Sequence, residues 1–190
     1  SAAINFKKLC KKNSKDLSVC VVEKGSEVGA HILSGAILEP RALNELIEDW
    51  KTNEDCPVKV PVKKESLKFL TETKSYEIPG IFTPSVMHNK GNFIISLGNF
   101  CKWLAKKAED LGVEIYPGFS ASELLIENDK LNGIITGDLG VDKNGEKGPN
   151  FEPGIEIHAK YTLFAEGCRG HLGKRLINQF KLRQNSQHQT

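Results

Sequence analysis

The stretch from Leu17 to Ala36 limits this chain more than any other. Val19, Cys20, Val21 and Val22 form a short apolar run rich in β-branched residues, read as a strand buried on both faces. The run ends on an acid, Glu23, with Gly25 two residues on. An acid at the end of the second strand of a dinucleotide-binding fold accepts hydrogen bonds from the adenosine ribose. That acid follows a Gly-rich turn by about 20 residues. Counting back from Glu23 reaches the first residues of the chain, Ser1-Ala2-Ala3-Ile4, where no such turn stands. The chain opens without Met and on a helical pattern, with Ala3, Phe6, Leu9 and Cys10 on its apolar face. The expectation is a fragment whose first strand and phosphate loop lie upstream.

Further residues bear on the same chemistry. Gly29-Ala30-His31-Ile32-Leu33-Ser34-Gly35-Ala36 is a run of small residues that lets backbone approach a flat ligand. Thr162–Gly173 reads as strand, glycine turn and helix. Glycine there permits close backbone approach, and the helix N-terminus favours nearby anions. No spacing of the five cysteines or five histidines builds a local metal site. Cys10, Cys20 and Cys101 sit at apolar positions and read as small core residues. A net charge of +2 with scattered lysines gives no nucleic-acid signature. No apolar run is long enough for a membrane-spanning helix.

The chain resembles the electron transfer flavoprotein–ubiquinone oxidoreductase family. The carriers are Gly29–Leu43, Gly91-Asn92-Phe93-Ile94, Val113–Gly118 and Leu163-Phe164-Ala165-Glu166-Gly167-Cys168-Arg169-Gly170-His171-Leu172. They stand in the family's order and span nearly the whole chain. The resemblance implies a membrane-attached enzyme holding FAD and one [4Fe–4S] cluster. It would take electrons from reduced electron transfer flavoprotein and pass them to ubiquinone, at a bacterial or mitochondrial inner membrane. It implies FAD contacts at Glu23, Lys24, Ser34, Gly35, Ala36, Ala121, Ser122, Ala165, Glu166 and Gly167. The cluster ligands and quinone-site residues would lie beyond Thr190. Flavin chemistry needs no protein nucleophile, so no catalytic acid, base or triad is nominated. Two rivals stay open: another FAD enzyme of this architecture, such as a hydroxylase or prenyl reductase, and a non-catalytic remnant.

The expected fold is α/β, an incomplete doubly wound FAD-binding domain (Rossmann-like, of glutathione-reductase type) with a β-meander. Residues 1–180 form it, with an irregular insertion at about 51–92, and 181–190 begin a connection. Pro40 opens a helix whose stripe is Leu43, Leu46, Ile47 and Trp50. The resemblance places Gly29–Trp50 near a bilayer surface, although the acidic polar side of the stripe argues against it. Asn99 is the expected cap of the helix ending at Gly112. Strands are expected at Phe93–Ser96, Val113–Tyr116, Ala121–Ile126, Leu131–Thr136, Ile155–Ala159 and Tyr161–Ala165, and a last helix from about His171 to Phe180.

Overall fold

The computed structural model describes residues 1–32, 35–142 and 144–184. They gather into two compact units, Ser1–Val21 with Glu27–Ile115, and Val22–Ser26 with Tyr116–Thr190.

In the first unit, α1 (Ala2–Lys12) leads to β1 (Val19–Glu23), whose last two residues belong to the second unit. Short β2 (Ala36–Leu38) precedes α2 (Arg41–Leu46) and the two-residue β3 (Val60–Pro61). A hairpin follows, β4 (Leu67–Leu70) against β5 (Ser75–Ile78), in register Leu67 to Ile78 and Leu70 to Ser75. Two 3₁₀ turns, Gly80–Phe82 and Ser85–Met87, lead to β6 (Phe93–Ile95), α3 (Leu97–Glu109) and β7 (Val113–Pro117). β6 is the middle strand between β2 and β3, antiparallel to both.

Two cores form here. Ile4, Ala108 and Val113 anchor one, with Val19, Val21 and Leu104 against them, so α1 and α3 cover one face of the β1–β7 pair. The other collects Leu43, Ile47, Trp50, Cys56, Val58, Ile95, Phe100 and Trp103. Trp50 meets Phe93 edge to face at 5.3 Å, and its indole N–H donates to Asn44 Oδ1 at 2.8 Å. A buried indole needs both contacts, one apolar and one polar.

In the second unit, β8 (Ala121–Glu127), β9 (Lys130–Thr136) and β12 (Glu156–His158) form an antiparallel meander with β9 in the middle. Between β9 and β12 stands a second hairpin, β10 (Leu139–Val141) with β11 (Lys147–Glu152). The last helix is α4 (His171–Gln179), its Leu172 wholly buried. Gly133, inside β9, lies against β12, where a Cβ would come within 1.9 Å of the Ile157 carbonyl oxygen.

Several expectations are corrected. Cys20 is exposed, because the described residues cover only one face of β1; it is no core residue, whereas Cys10 and Cys56 are buried. On α1, Phe6 and Leu9 are 42% and 49% exposed, and Ile4 fills the core instead. α2 stops at Leu46, and a turn bonded from Trp50 N–H to the Ile47 carbonyl carries the stripe inward. Ser96, not Asn99, caps α3: its hydroxyl accepts the Asn99 N–H. Tyr161–Ala165 is not a strand. No neighbouring strand pairs with it among the described residues, and Tyr161 and Leu163 are exposed.

Candidate functional site

Glu23 ends β1 half-buried. Its Oε1 accepts the N–H of buried Gly25 at 2.7 Å, which holds the carboxylate in one orientation. The Gly25 carbonyl in turn accepts the Gly118 N–H at 2.7 Å, stitching the turn after β1 to the turn after β7. Gly118 has φ +84° and open space where a side chain would stand. The second Glu23 oxygen accepts no hydrogen bond from the described residues, so it remains an oriented anionic acceptor. Lys24 is exposed beside it.

Three residues beyond Gly118, β8 begins at Ala121, opposite Thr136. The Ser122 hydroxyl donates to the Ile135 carbonyl at 3.1 Å, so it is committed to the sheet. The Ser122 carbonyl accepts Arg175 Nη1 of α4 at 3.4 Å. That contact ties β8 to the helix that follows Ala165, Glu166 and Gly167. Glu166, Gly167, Cys168 and Lys174 share a cavity of about 880 Å³ with Phe164 and Ile177. Gly167 has φ +77° with nothing within 4 Å of a built Cβ, a conformation that glycine adopts without strain. The Glu166 carboxylate lies at the start of α4 and accepts the N–H groups of Leu172 and Gly173.

The small-residue loop belongs to the first unit. Leu33 and Ser34 lie outside the described residues. Gly35 has φ +88° and open space before it. Ala36 is not in the loop but opens β2 opposite Ile95, packed against the core. Gly29 takes φ +86° close to Gly98, whose carbonyl oxygen would stand 3.0 Å from a Cβ.

The expected membrane segment fares differently. Leu43, Ile47 and Trp50 are 3%, 7% and 2% exposed, so these residues of the stripe face the core, while Ile32 and Ile37 stay exposed. Large exposed apolar side chains crowd residues 69–87 instead, among them Phe69, Leu70, Ile81, Phe82 and Val86. No period of two or 3.6 marks that segment, so periodicity did not find it; its density of apolar residues between prolines was the available signal. At its base the Glu65 carboxylate accepts the Asn89 N–H at 2.6 Å and pairs with His88 Nδ1 at 2.9 Å. These contacts hold the Glu65 carboxyl below its ordinary range, the His88 hydrogen bond contributing most.

Among the described residues no three His, Cys, Asp or Glu side chains could hold a metal ion, and no helix is long and apolar enough to cross a membrane.

No family model matches the chain. Curated relatives do. A probable electron transfer flavoprotein-ubiquinone oxidoreductase of Acinetobacter baylyi is 59% identical over 98% of this chain and 33% of its own length. The Pseudomonas aeruginosa protein of that name is 57% identical over 96% of this chain and 33% of its own length. The mitochondrial protein of Bos taurus is 47% identical over the whole chain and 31% of its own length. The chain thus spans about a third of the length of the curated relatives it matches. Among solved structures, the crystal structure of Thermovibrio ammonificans THI4 shares the fold, with a TM-score of 0.55 at 15% identity, over 93% of this chain and 57% of that one.

Proposed function

The chain is homologous along nearly all its length to one segment of electron transfer flavoprotein–ubiquinone oxidoreductase, and from that premise we propose that it supplies part of an FAD site. The enzyme so built would pass electrons from reduced electron transfer flavoprotein to ubiquinone. The observation that carries the reading is Glu23. Its carboxylate is oriented by Gly25 and keeps one oxygen for the ribose hydroxyls. Gly35 and Gly167 fit a flat or extended cofactor, since each turns the backbone with open space in front. Lys24, Ser34, Ala36, Ala121, Ser122, Ala165 and Glu166 complete the proposed contact set. Ser122 takes part through its backbone, because its hydroxyl is engaged with Ile135. Bound FAD supplies the capacity to hold one or two electrons. This chain's residues would bind and orient it.

An iron–sulfur cluster does not fit the described residues, among which no three His, Cys, Asp or Glu side chains gather. Contact with a membrane surface would fall to the exposed apolar residues 69–87, and within Gly29–Trp50 to Ile32 and Ile37, since Leu43, Ile47 and Trp50 are buried. Apolar side chains held out on a hairpin and two tight turns bury area in a lipid interface without spanning it.

A chimaera tests the reading: this chain replaces the segment it matches in a full-length relative. Retained flavin absorbance and electron transfer flavoprotein-dependent quinone reduction support it. A folded chimaera without flavin refutes it. Phe82→Ser with Val86→Ser in that chimaera is expected to lower co-sedimentation with vesicles while leaving the flavin bound; unchanged sedimentation counts against the membrane assignment.

A further inference from the structure

α4 starts at an unusual cap. Its N-cap is Gly170, which has no side chain to offer, yet the first N–H groups of any helix lack partners within it. Glu166, four residues upstream, fills that need. Its Oε1 accepts the Leu172 N–H at 3.2 Å and its Oε2 the Gly173 N–H at 2.7 Å. The turn that brings it there is closed by Gly170 N–H to the Gly167 carbonyl at 3.2 Å, with Gly167 at φ +77°. Gly170 leaves room for it. A Cβ at that position would lie 2.6 Å from the Glu166 Cβ and 2.8 Å from Oε2. A cap residue with its own side chain and the Glu166 carboxylate therefore exclude each other.

We propose that Glu166 is a positioning residue: its carboxylate caps α4 from within the chain, sets the Glu166–Gly170 turn, and closes the helix N-terminus to phosphate. The strand–glycine–helix pattern reads as an anion site because a helix N-terminus carries positive potential. Here that potential is already met by an intramolecular carboxylate. A phosphate arriving at the same N–H groups would have to displace Glu166 and its two charge-assisted hydrogen bonds. Glu166 thus differs from Glu23, which keeps an oxygen free. Its part in the proposed FAD site runs through the backbone of the turn it shapes, and that role alone rests on the FAD reading.

The test needs no FAD, so failure of the cofactor reading leaves it standing. Amide exchange and nitrogen–proton correlation spectra are recorded on the full chain, with inorganic pyrophosphate as the anion probe. In the wild type the Leu172 and Gly173 amides should be protected and should not shift with millimolar pyrophosphate. Glu166→Ala should cut their protection about 5–30-fold, the range of a lost cap. In that variant the same two amides should now titrate with pyrophosphate. Glu166→Gln, which retains amide-oxygen acceptance, should recover part of the protection. Gly170→Ala, whose Cβ crowds Glu166 and brings no acceptor of its own, should lower it without touching the carboxylate. Wild-type amides that titrate with pyrophosphate, or protection unchanged in Glu166→Ala, overturn the proposal.

Discussion

Replacing Glu23 separates a structural from a ligand-binding role, because the carboxylate has one oxygen in each. Glu23→Ala strips the acceptor from the Gly25 N–H, and Gly25 is buried. An unpaired buried donor costs about 1–3 kcal/mol. In a chain of 190 residues that corresponds to a fall in Tm of roughly 2–12 °C. Loss of the second oxygen removes a charged acceptor from the ribose, worth about 1.5–3 kcal/mol of binding. FAD affinity in the chimaera should then weaken about 10–150-fold. Glu23→Gln keeps an oxygen for Gly25 and loses only the charge, so its stability should fall by about 1 kcal/mol or less. The assays are thermal melting and calorimetric titration with FAD on the same preparations. A Glu23→Ala chimaera that melts lower but binds FAD with unchanged affinity refutes the ribose assignment and leaves Glu23 as a turn residue alone.

Trp50→Ala should cost about 3–5 kcal/mol in chemical denaturation, since the ring is buried against Phe93 and bonded to Asn44; a loss below about 1 kcal/mol with weakened vesicle binding would return this residue to the membrane surface. Gly133→Ala should separate β12 from β9, because the new methyl meets backbone and not a movable side chain. Exchange at Ile157 reads this, and Gly118→Ala, with open space around it, serves as the control costing only about 1–2 kcal/mol for its left-handed conformation. Glu65 should titrate below the ordinary carboxylate range in carbon-detected NMR. As the folded value is depressed, the stability it contributes is whole above the ordinary value and fades as pH falls through the depressed one. Glu65→Gln should abolish that part of the acid dependence, and a Glu65 midpoint at or above the ordinary range refutes the clamp.

The parts legible in the sequence were those in which neighbouring residues along the chain carry the information. Apolar residues at helical spacing marked α1, α3 and α4, and β-branched runs marked β1, β7 and the meander strands. Gly112, at φ +79°, ended its helix where a left-handed residue was needed. The strings around Gly29–Leu43 and Ala165–Leu172 carry the resemblance to the curated relatives in consecutive residues. The acid of Glu23 stood out because a strand and its terminal residue are local features.

Tertiary structure decided which apolar residues are inside. Ile4 and Phe6 lie on opposite sides of one helix, and the packing of Ile4 with Ala108 and Val113 decides which side is inside, while Trp50 is buried by Phe93, a residue 43 positions away. The hairpin β4–β5 escaped because no Asn-Gly or Asp-Gly joins its strands, and β10–β11 because its Asn144-Gly145 sits in a longer connection, 142–146, between strands without apolar alternation. Tyr161–Ala165 erred in the opposite direction: it has strand composition, but a strand is a pairing, and its backbone meets no partner strand among the described residues. Glu166 shows the same limit at the site. Its side chain and the Gly173 N–H are seven residues apart, and only the fold of the turn between them spends the carboxylate on the helix. Periodicity reports the backbone a segment favours; what its side chains touch is set by residues that periodicity never compares.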